Sequence, residues 1–313
     1  DFQGNTKGAL LLEPSRTNLV TYSEDFSQWN KSSVAITITS NYGLSPDGLN
    51  NSSRVQFTSA NQHINISTSL GAGVTSTGSV YIKGTLGETI EFDTGGVGSL
   101  RTLTGDWQRI EVTSTSASSL LLINTFGGAT ARDIQVFGAQ CEQATYATSY
   151  IPTSGSAVTR VADVCNNGAN EQVINSTEGV LYAEVSKINE SEGEGTIAIS
   201  RDVNNEIRLN LATNNRLNVF VNVNGSNQVY FDNTDYNLEE YNKIAIKYKL
   251  NDYSVFFNGN KIHTDTNATV PSGLDLLDFN LGTSSNKFYG NVKDVKVYNT
   301  ALTEQELIAL TQV

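Results

Sequence analysis

Short segments of alternating apolar and polar residues, cut at regular intervals by turn signals, constrain this 313-residue chain most. Residues 34–39, 53–57, 64–66, 78–82 and 89–92 alternate in this way. A period of two puts one face of each segment in a core and the other in water. Residues 120–123 are apolar throughout, as in a central strand, and 134–137 follow. Between them stand Asn41-Tyr-Gly43, Ser45-Pro-Asp-Gly48, Gly71-Ala-Gly73 and Gly127-Gly128, all turn signals. The second half continues with longer segments at 179–186, 196–200, 207–211, 217–223, 228–231, 243–250, 253–257, 279–282 and 292–298. Asn224-Gly225 and Phe257-Asn-Gly-Asn260 are hairpin turns, because two successive positive-φ residues match the twist of the flanking strands. One helix is predicted, at the C-terminus. Thr303-Glu-Gln-Glu306 is a capping box, and Leu302, Leu307 and Leu310 form a short apolar stripe. The expected fold is all-β: two β-sandwich domains of jelly-roll type, the second ending in a short helix.

The charge distribution places the division near residue 160. Residues 1–160 hold nine basic and twelve acidic residues; residues 161–313 hold eleven and twenty. The net charges are −3 and −9, and the expected domains are 1–160 and 161–313. The stretch 149–160 reads as an ordered crossover anchored by Tyr150, Ile151 and Val158. A net charge of −12 argues against nucleic acid and against anionic membrane surfaces as partners. No apolar run approaches the roughly 18–20 residues of a membrane-spanning helix. The absence of Met, even at position 1, is read as the mark of a processed or excised piece.

Enzyme chemistry finds little support. Two cysteines and two histidines are too few for an ordinary zinc site, and free thiols are expected at Cys141 and Cys165. His63 and His263 fall one per half, so no domain has a histidine pair for acid–base work. Serine never occurs in a Gly-x-Ser-x-Gly elbow, and the glycines of 94–98 lack a phosphate-loop lysine. Glu190, Glu192 and Glu194 lie among Ser and Gly and read as a solvated loop; Asp275 and Asp278 read as a turn. Binding asks for less. Sugars are held by aromatic faces against their C–H surfaces and by amides and charged groups against their hydroxyls. The candidates are Trp29, Tyr42, Trp107, Tyr230, Asp232 and Tyr236, with core packing as the competing reading for both tryptophans.

Several ordered motifs carry a resemblance. Leu11-Leu-Glu-Pro-Ser-Arg-Thr-Asn-Leu19 and Tyr22-Ser-Glu-Asp-Phe-Ser-Gln-Trp29 resemble the opening of a module of bacteriophage tail and virion proteins. Phe137-Gly-Ala-Gln-Cys-Glu142, Ala147-Thr-Ser-Tyr-Ile-Pro-Thr153 and Val158-Thr-Arg-Val-Ala-Asp-Val164 resemble its close, with Cys141 in place of the usual Leu. Val80-Tyr-Ile-Lys83 and Asp106-Trp-Gln-Arg-Ile110 are similar to jelly-roll carbohydrate-binding modules. Glu178-Gly-Val-Leu-Tyr-Ala-Glu184, Val255-Phe-Phe-Asn-Gly-Asn-Lys261 and Gly290-Asn-Val-Lys-Asp-Val-Lys-Val-Tyr298 resemble laminin-G-like, concanavalin-A-like lectin domains. The resemblance implies a structural calcium ion at Asp133, joined by Glu24 or Asp25, since oxygen ligands suit a hard cation. It also implies a non-enzymatic tail fibre, receptor-binding protein or capsid appendage on a virion. The partners would be a bacterial surface glycan and other virion proteins, in an oligomer, a trimer if it is a fibre. Two alternatives stand beside it: a carbohydrate-binding appendage of a secreted polysaccharide-degrading enzyme, and a structural virion protein that only contacts other proteins.

Overall fold

The computed structural model describes residues 8–71, 73–115, 120–127, 130–281 and 285–313, the side chain of Glu190 apart. Ala72, Gly128 and Gly282, which belong to segments read above as turns and a strand end, lie outside the described residues. The chain divides into two compact units, one of residues 15–161 and one of 162–313 together with the segment before Ser15. The second unit thus reaches back before the first. Strand Leu10–Leu12 pairs antiparallel with Gly290, Asn291 and Val292, and Leu12 enters that unit's core. No described helix is long and apolar enough to cross a membrane.

In the unit 15–161, two five-stranded antiparallel sheets pack face to face. One has the order Gln108–Ser114, Ser76–Lys83, Arg132–Glu142, Ser52–Phe57, Thr37–Gly43. The other has Asn30–Lys31, His63–Ser67, Leu120–Asn124, Thr89–Thr94, Val97–Thr102. Val55, Val80, Ile82 and Ile134 of the first sheet meet Ile64, Ile90, Phe92 and Ile123 of the second, all fully buried. These are the inward positions of the alternating segments. Val97–Thr102 carries no such alternation at its glycine-rich start, and its pairing with Thr89–Thr94 alone makes it a strand.

The motifs that carried the resemblance form a polar clasp inside this unit. Asn18 is fully buried and uses all four of its hydrogen-bonding capacities. Its Nδ2 donates to the carbonyls of Ala139 (3.1 Å) and Ile151 (2.8 Å). Its Oδ1 accepts from the amides of Val20 (3.0 Å) and Cys141 (3.1 Å). Gln140 donates to the buried Glu142 carboxylate and to Thr148 O, and accepts from the Ile151 amide. Cys141 lies in the core as a free thiol, its pKa pushed up to about 12 by burial.

The second unit is also a sandwich. Its six-stranded sheet has the order Leu10–Leu12, Gly290–Tyr298, Glu178–Lys187, Asn242–Lys249, Tyr253–Phe257, Asn260–Asp265. Its five-stranded sheet has Ser226–Asn233, Arg216–Val223, Asn205–Ala212, Gly195–Asp202, Leu276–Asp278. The last strand sits three residues earlier than the apolar run at 279–282 suggests, because Leu277 pairs with Ile199. Both hairpin turns form as expected, with φ of 50° and 79° at Asn224-Gly225 and 47° and 80° at Asn258-Gly259. The helix Glu304–Thr311 starts on the full capping box of Thr303 and Glu306. Its Leu307 covers Val180, Tyr182, Ala245 and Phe256, closing part of the outer face of the six-stranded sheet.

Candidate functional site

The outer face of the sheet containing Arg132–Glu142 holds an open groove, and strand register dictates what lines it. Residues that alternate with the core point outward here: Arg54, Gln56, Lys83, Asp133 and Gln135. Gln135 stands directly between Arg54 on one neighbouring strand and Lys83 on the other. Asp133 stands opposite Gln56. The rest of this face is roofed by the chain that follows the last strand. Tyr150 packs edge-on against Phe137 at 5.4 Å, Arg109 Nη2 donates to Thr148 O at 2.7 Å, and Thr77 Oγ1 donates to Ala144 O at 2.9 Å. What stays open is a groove of about 320 Å³ lined by Tyr42, Lys83, Gly84, Thr85, Asp133, Ile134 and Gln135.

A bulge aims Tyr42 into this groove. Thr39 pairs with Arg54 and Gly43 with Ser52, so three residues of one strand face Ser53 alone. Asn41 takes the left-handed conformation (φ 51°) that such an irregularity needs, and Asn tolerates it. The ring of Tyr42 is thereby turned out, 47% exposed, with the Arg54 guanidinium carbon 4.9 Å from its centroid. Trp107 anchors the same segment: its Nε1 donates to Leu44 O at 3.1 Å, and the ring is half-buried. Gly43 lets Gln135 lie close, since a Cβ there would stand 2.9 Å from Gln135 Oε1 and push that flexible side chain aside.

Asp133 is neutralised within the groove. Arg54 holds it through two bonds, Nε to Oδ1 at 2.8 Å and Nη2 to Oδ2, and Gln56 Nε2 adds a third at 3.3 Å. The Arg54 hydrogen bonds hold its carboxyl below the ordinary range. A depressed folded-state pKa means that the pair's contribution is present above the unfolded carboxylate pKa of about 3.9 and is lost as pH falls through the folded value. We expect Arg54→Ala to bring the Asp133 titration back up toward that reference, read by carbon NMR of the carboxyl. An unchanged midpoint would show that the pair does not persist in solution.

The carboxylates that the resemblance implies as calcium ligands line two pockets. Asp133 lines the groove, whereas Glu24 and Asp25 line a separate pocket of about 400 Å³ with Asn41 and Asn51. Asp133 is tied to Arg54 and Gln56. The Glu24 carboxylate already accepts from Tyr150 Oη and Asn51 Nδ2, and Asp25 caps the single-turn 3₁₀ helix Phe26–Gln28. No group of three or more His, Cys, Asp or Glu side chains among the described residues is placed to hold a metal ion. The carboxylates named for calcium are each engaged by protein donors: Asp133 by Arg54 and Gln56, Glu24 by Tyr150 and Asn51, and Asp25 by Ser27.

Two of the aromatic candidates belong to cores. Trp29 is 3% exposed, stacks on Phe26 at 4.8 Å and donates to Tyr22 O. Tyr236 packs on Phe257 at 4.2 Å at the edge of the second unit's core. Both lie where aromatic area is worth more as packing than as a surface platform. Tyr230 and Asp232 do reach the surface, on the outer face of the five-stranded sheet of that unit. Arg208, Phe220 and Tyr230 stand side by side across three strands. Asp232 accepts from Arg216, Asn218 and Tyr230, and the Arg216 pairing draws its pKa down to about 2. That carboxylate is occupied by protein donors. Sequence reasoning missed Arg54, Lys83 and Gln135. Their only signal was the polar half of an alternating strand, which is also the signal of an ordinary solvated face.

Comparison with known proteins bears on the second unit. Residues 186–308 match the model of the concanavalin A-like lectin/glucanases superfamily. The match covers less than half of the chain, and with the two packed sheets and the short C-terminal helix it establishes a concanavalin A-like fold there. No curated protein matches the chain. Among solved structures, the chain is similar to the Ruminococcus gnavus IT-sialidase CBM40 at 19% identity and a TM-score of 0.38, over 44% of this chain and 84% of that one. The same module bound to alpha2,6 sialyllactose matches at 18% and 0.38, over 48% and 95%. The SAP-like pentraxin of Limulus polyphemus matches at 14% and 0.37, over 46% and 72%.

Proposed function

We propose that the protein is a non-catalytic glycan-binding module whose primary site is the groove of the unit 15–161. The observation that carries this reading is the outward Tyr42 ring. It is held by a bulge beside a row of side chains with hydrogen bonds to offer, on a flank of the sheet that the rest of the chain leaves open. An exposed ring set against amide and charged groups suits the alternating C–H and hydroxyl surfaces of a sugar. The groove supports binding rather than hydrolysis, which uses two carboxylates flanking the bond. Asp133 is the one carboxylate in its lining, and Arg54 neutralises it. The setting implied by the motif resemblance, a phage virion displaying several copies, would turn weak single sites into firm adhesion to a bacterial surface through avidity.

A glycan array with the full chain tests this. Wild-type protein is expected to bind a subset of bacterial surface glycans. Tyr42→Ala is expected to weaken that binding about tenfold or more through loss of the stacked face. Silence of the wild type on the array, or indifference to Tyr42→Ala, would overturn the assignment of the groove. Release of reducing ends or unsaturated products from a bound polysaccharide would overturn the non-catalytic reading. Binding to plant or algal polysaccharides alone would replace the virion setting with that of a secreted appendage.

A further inference from the structure

We infer that the groove selects glycans bearing an anionic substituent, a carboxylate or a phosphate, and that Lys83 is the side chain that reads it. The inference rests on the groove being the glycan site and goes further by assigning the ligand's charge. The charged side chains at the groove are Lys83 and Asp133 in its lining and Arg54 beside the Tyr42 ring. The Asp133 charge is taken up by the two bonds from Arg54. Lys83 has no ion-pair or hydrogen-bond partner among the described residues and is half-buried. Once the Arg54–Asp133 pair is set aside, the groove carries one uncompensated positive charge.

A lysine on a sheet often serves to keep an exposed edge from pairing with another chain. Lys83 has no such task. Its strand, Ser76–Lys83, is hydrogen-bonded on both sides, by Gln108–Ser114 and by Arg132–Glu142. The Lys83 stem is half-buried against the sheet, which holds its ammonium at the groove without a protein carboxylate paired to it among the described residues. Its neighbour across the ladder adds a matching donor. Gln135 Oε1 lies 3.1 Å from Ser52 Oγ, whose shorter bond (2.7 Å) goes to Gly43 O, and the Gln135 Nε2 hydrogens meet no protein acceptor among the described residues. An ammonium and an amide side by side offer hydrogens to two oxygens of one anionic group. The chain's net charge of −12 opposes an anion at long range. At physiological ionic strength that repulsion is screened beyond about 8 Å, so the local charge of the groove decides.

The test uses the full chain on an array that pairs neutral hexose oligomers with hexuronic acid oligomers and phosphorylated oligosaccharides. Binding is expected on the hexuronate or the phosphorylated spots, which tells the two anions apart, and is expected to weaken with added sodium chloride. Lys83→Gln should reduce that binding roughly tenfold, and Lys83→Arg should restore most of it. Thermal unfolding of both variants should match the wild type, since the Lys83 ammonium makes no ion pair or hydrogen bond among the described residues and both replacements keep a long stem. If the protein binds neutral oligomers equally well, and Lys83→Gln changes nothing while Tyr42→Ala abolishes binding, the charge selection is wrong and the groove assignment stands. If no spot binds, or Tyr42→Ala has no effect, both fall together.

Discussion

Replacing Asn18 by leucine is expected to destabilise the unit 15–161 by about 4 kcal/mol. Leucine keeps the heavy-atom branching of asparagine and is bulkier, so the cost is not a cavity. It comes from four backbone groups that lose their partner in a fully buried place: the amides of Val20 and Cys141 and the carbonyls of Ala139 and Ile151. Each buried group left unsatisfied costs about 1–3 kcal/mol, and relaxation recovers part of the total. Small domains have a stability of roughly 5–15 kcal/mol, so such a loss is visible in any urea titration. Thr17→Ala, one residue away on the exposed side, removes a solvent-exposed hydroxyl pair with Thr159 and should change stability by less than about 0.5 kcal/mol. If the two substitutions cost the same, the clasp is not what ties the segment around Asn18 to the strand Arg132–Glu142.

Gly290→Ala is expected to cost the second unit about 3 kcal/mol, at the upper end of overpacking changes. A Cβ at this position would lie 2.1 Å from the carbonyl oxygen of Ser186 and 3.1 Å from the Cα of Lys187. Both are backbone atoms of the neighbouring strand and cannot swing aside as a flexible side chain would. Gly290 is also where Leu12 and Lys187 pair with the same residue from the two neighbouring strands, so a shift there disturbs two ladders. Gly193→Ala is a useful contrast. It has a positive φ of 72° but no atom within 4 Å of its added Cβ, so its cost is that of backbone strain alone. Calorimetry of the two variants should rank Gly290→Ala well below Gly193→Ala in Tm. Equal values would mean that the strands around Gly290 can part without loss.

Much of the architecture was legible because its causes are local. The hairpins at Asn224-Gly225 and Asn258-Gly259 follow from the left-handed conformations that Asn and Gly accept cheaply. The C-terminal helix follows from two side chains three residues apart, Thr303 and Glu306. The core faces follow from alternation, which is why Val55, Val80, Ile82 and Ile134 are buried as their spacing implies. The site was legible only in fragments. Tyr42 and Trp107 were picked out as aromatic faces for a sugar and Asp133 as a calcium ligand, and the structure brings all three to one groove or to the segment that frames it. Asp133 serves there as the partner of Arg54, not beside Glu24.

The physical division is between what a residue settles with its neighbours in sequence and what it settles with a strand far away. Period, turn chemistry and capping are short-range, so the sequence alone determined an all-β chain of two sandwiches ending in a helix. Partners across a sheet depend on register, which no window of sequence contains. The tertiary structure alone decided that Leu10–Leu12 completes a sheet with Gly290–Tyr298. It decided that Trp29 is core while Tyr42 is surface, because a bulge turns one ring outward and Phe26 covers the other. And it placed Lys83 beside Gln135 with no carboxylate to answer it, since only the pairing of three strands brings Arg54 to Asp133 and leaves the lysine alone.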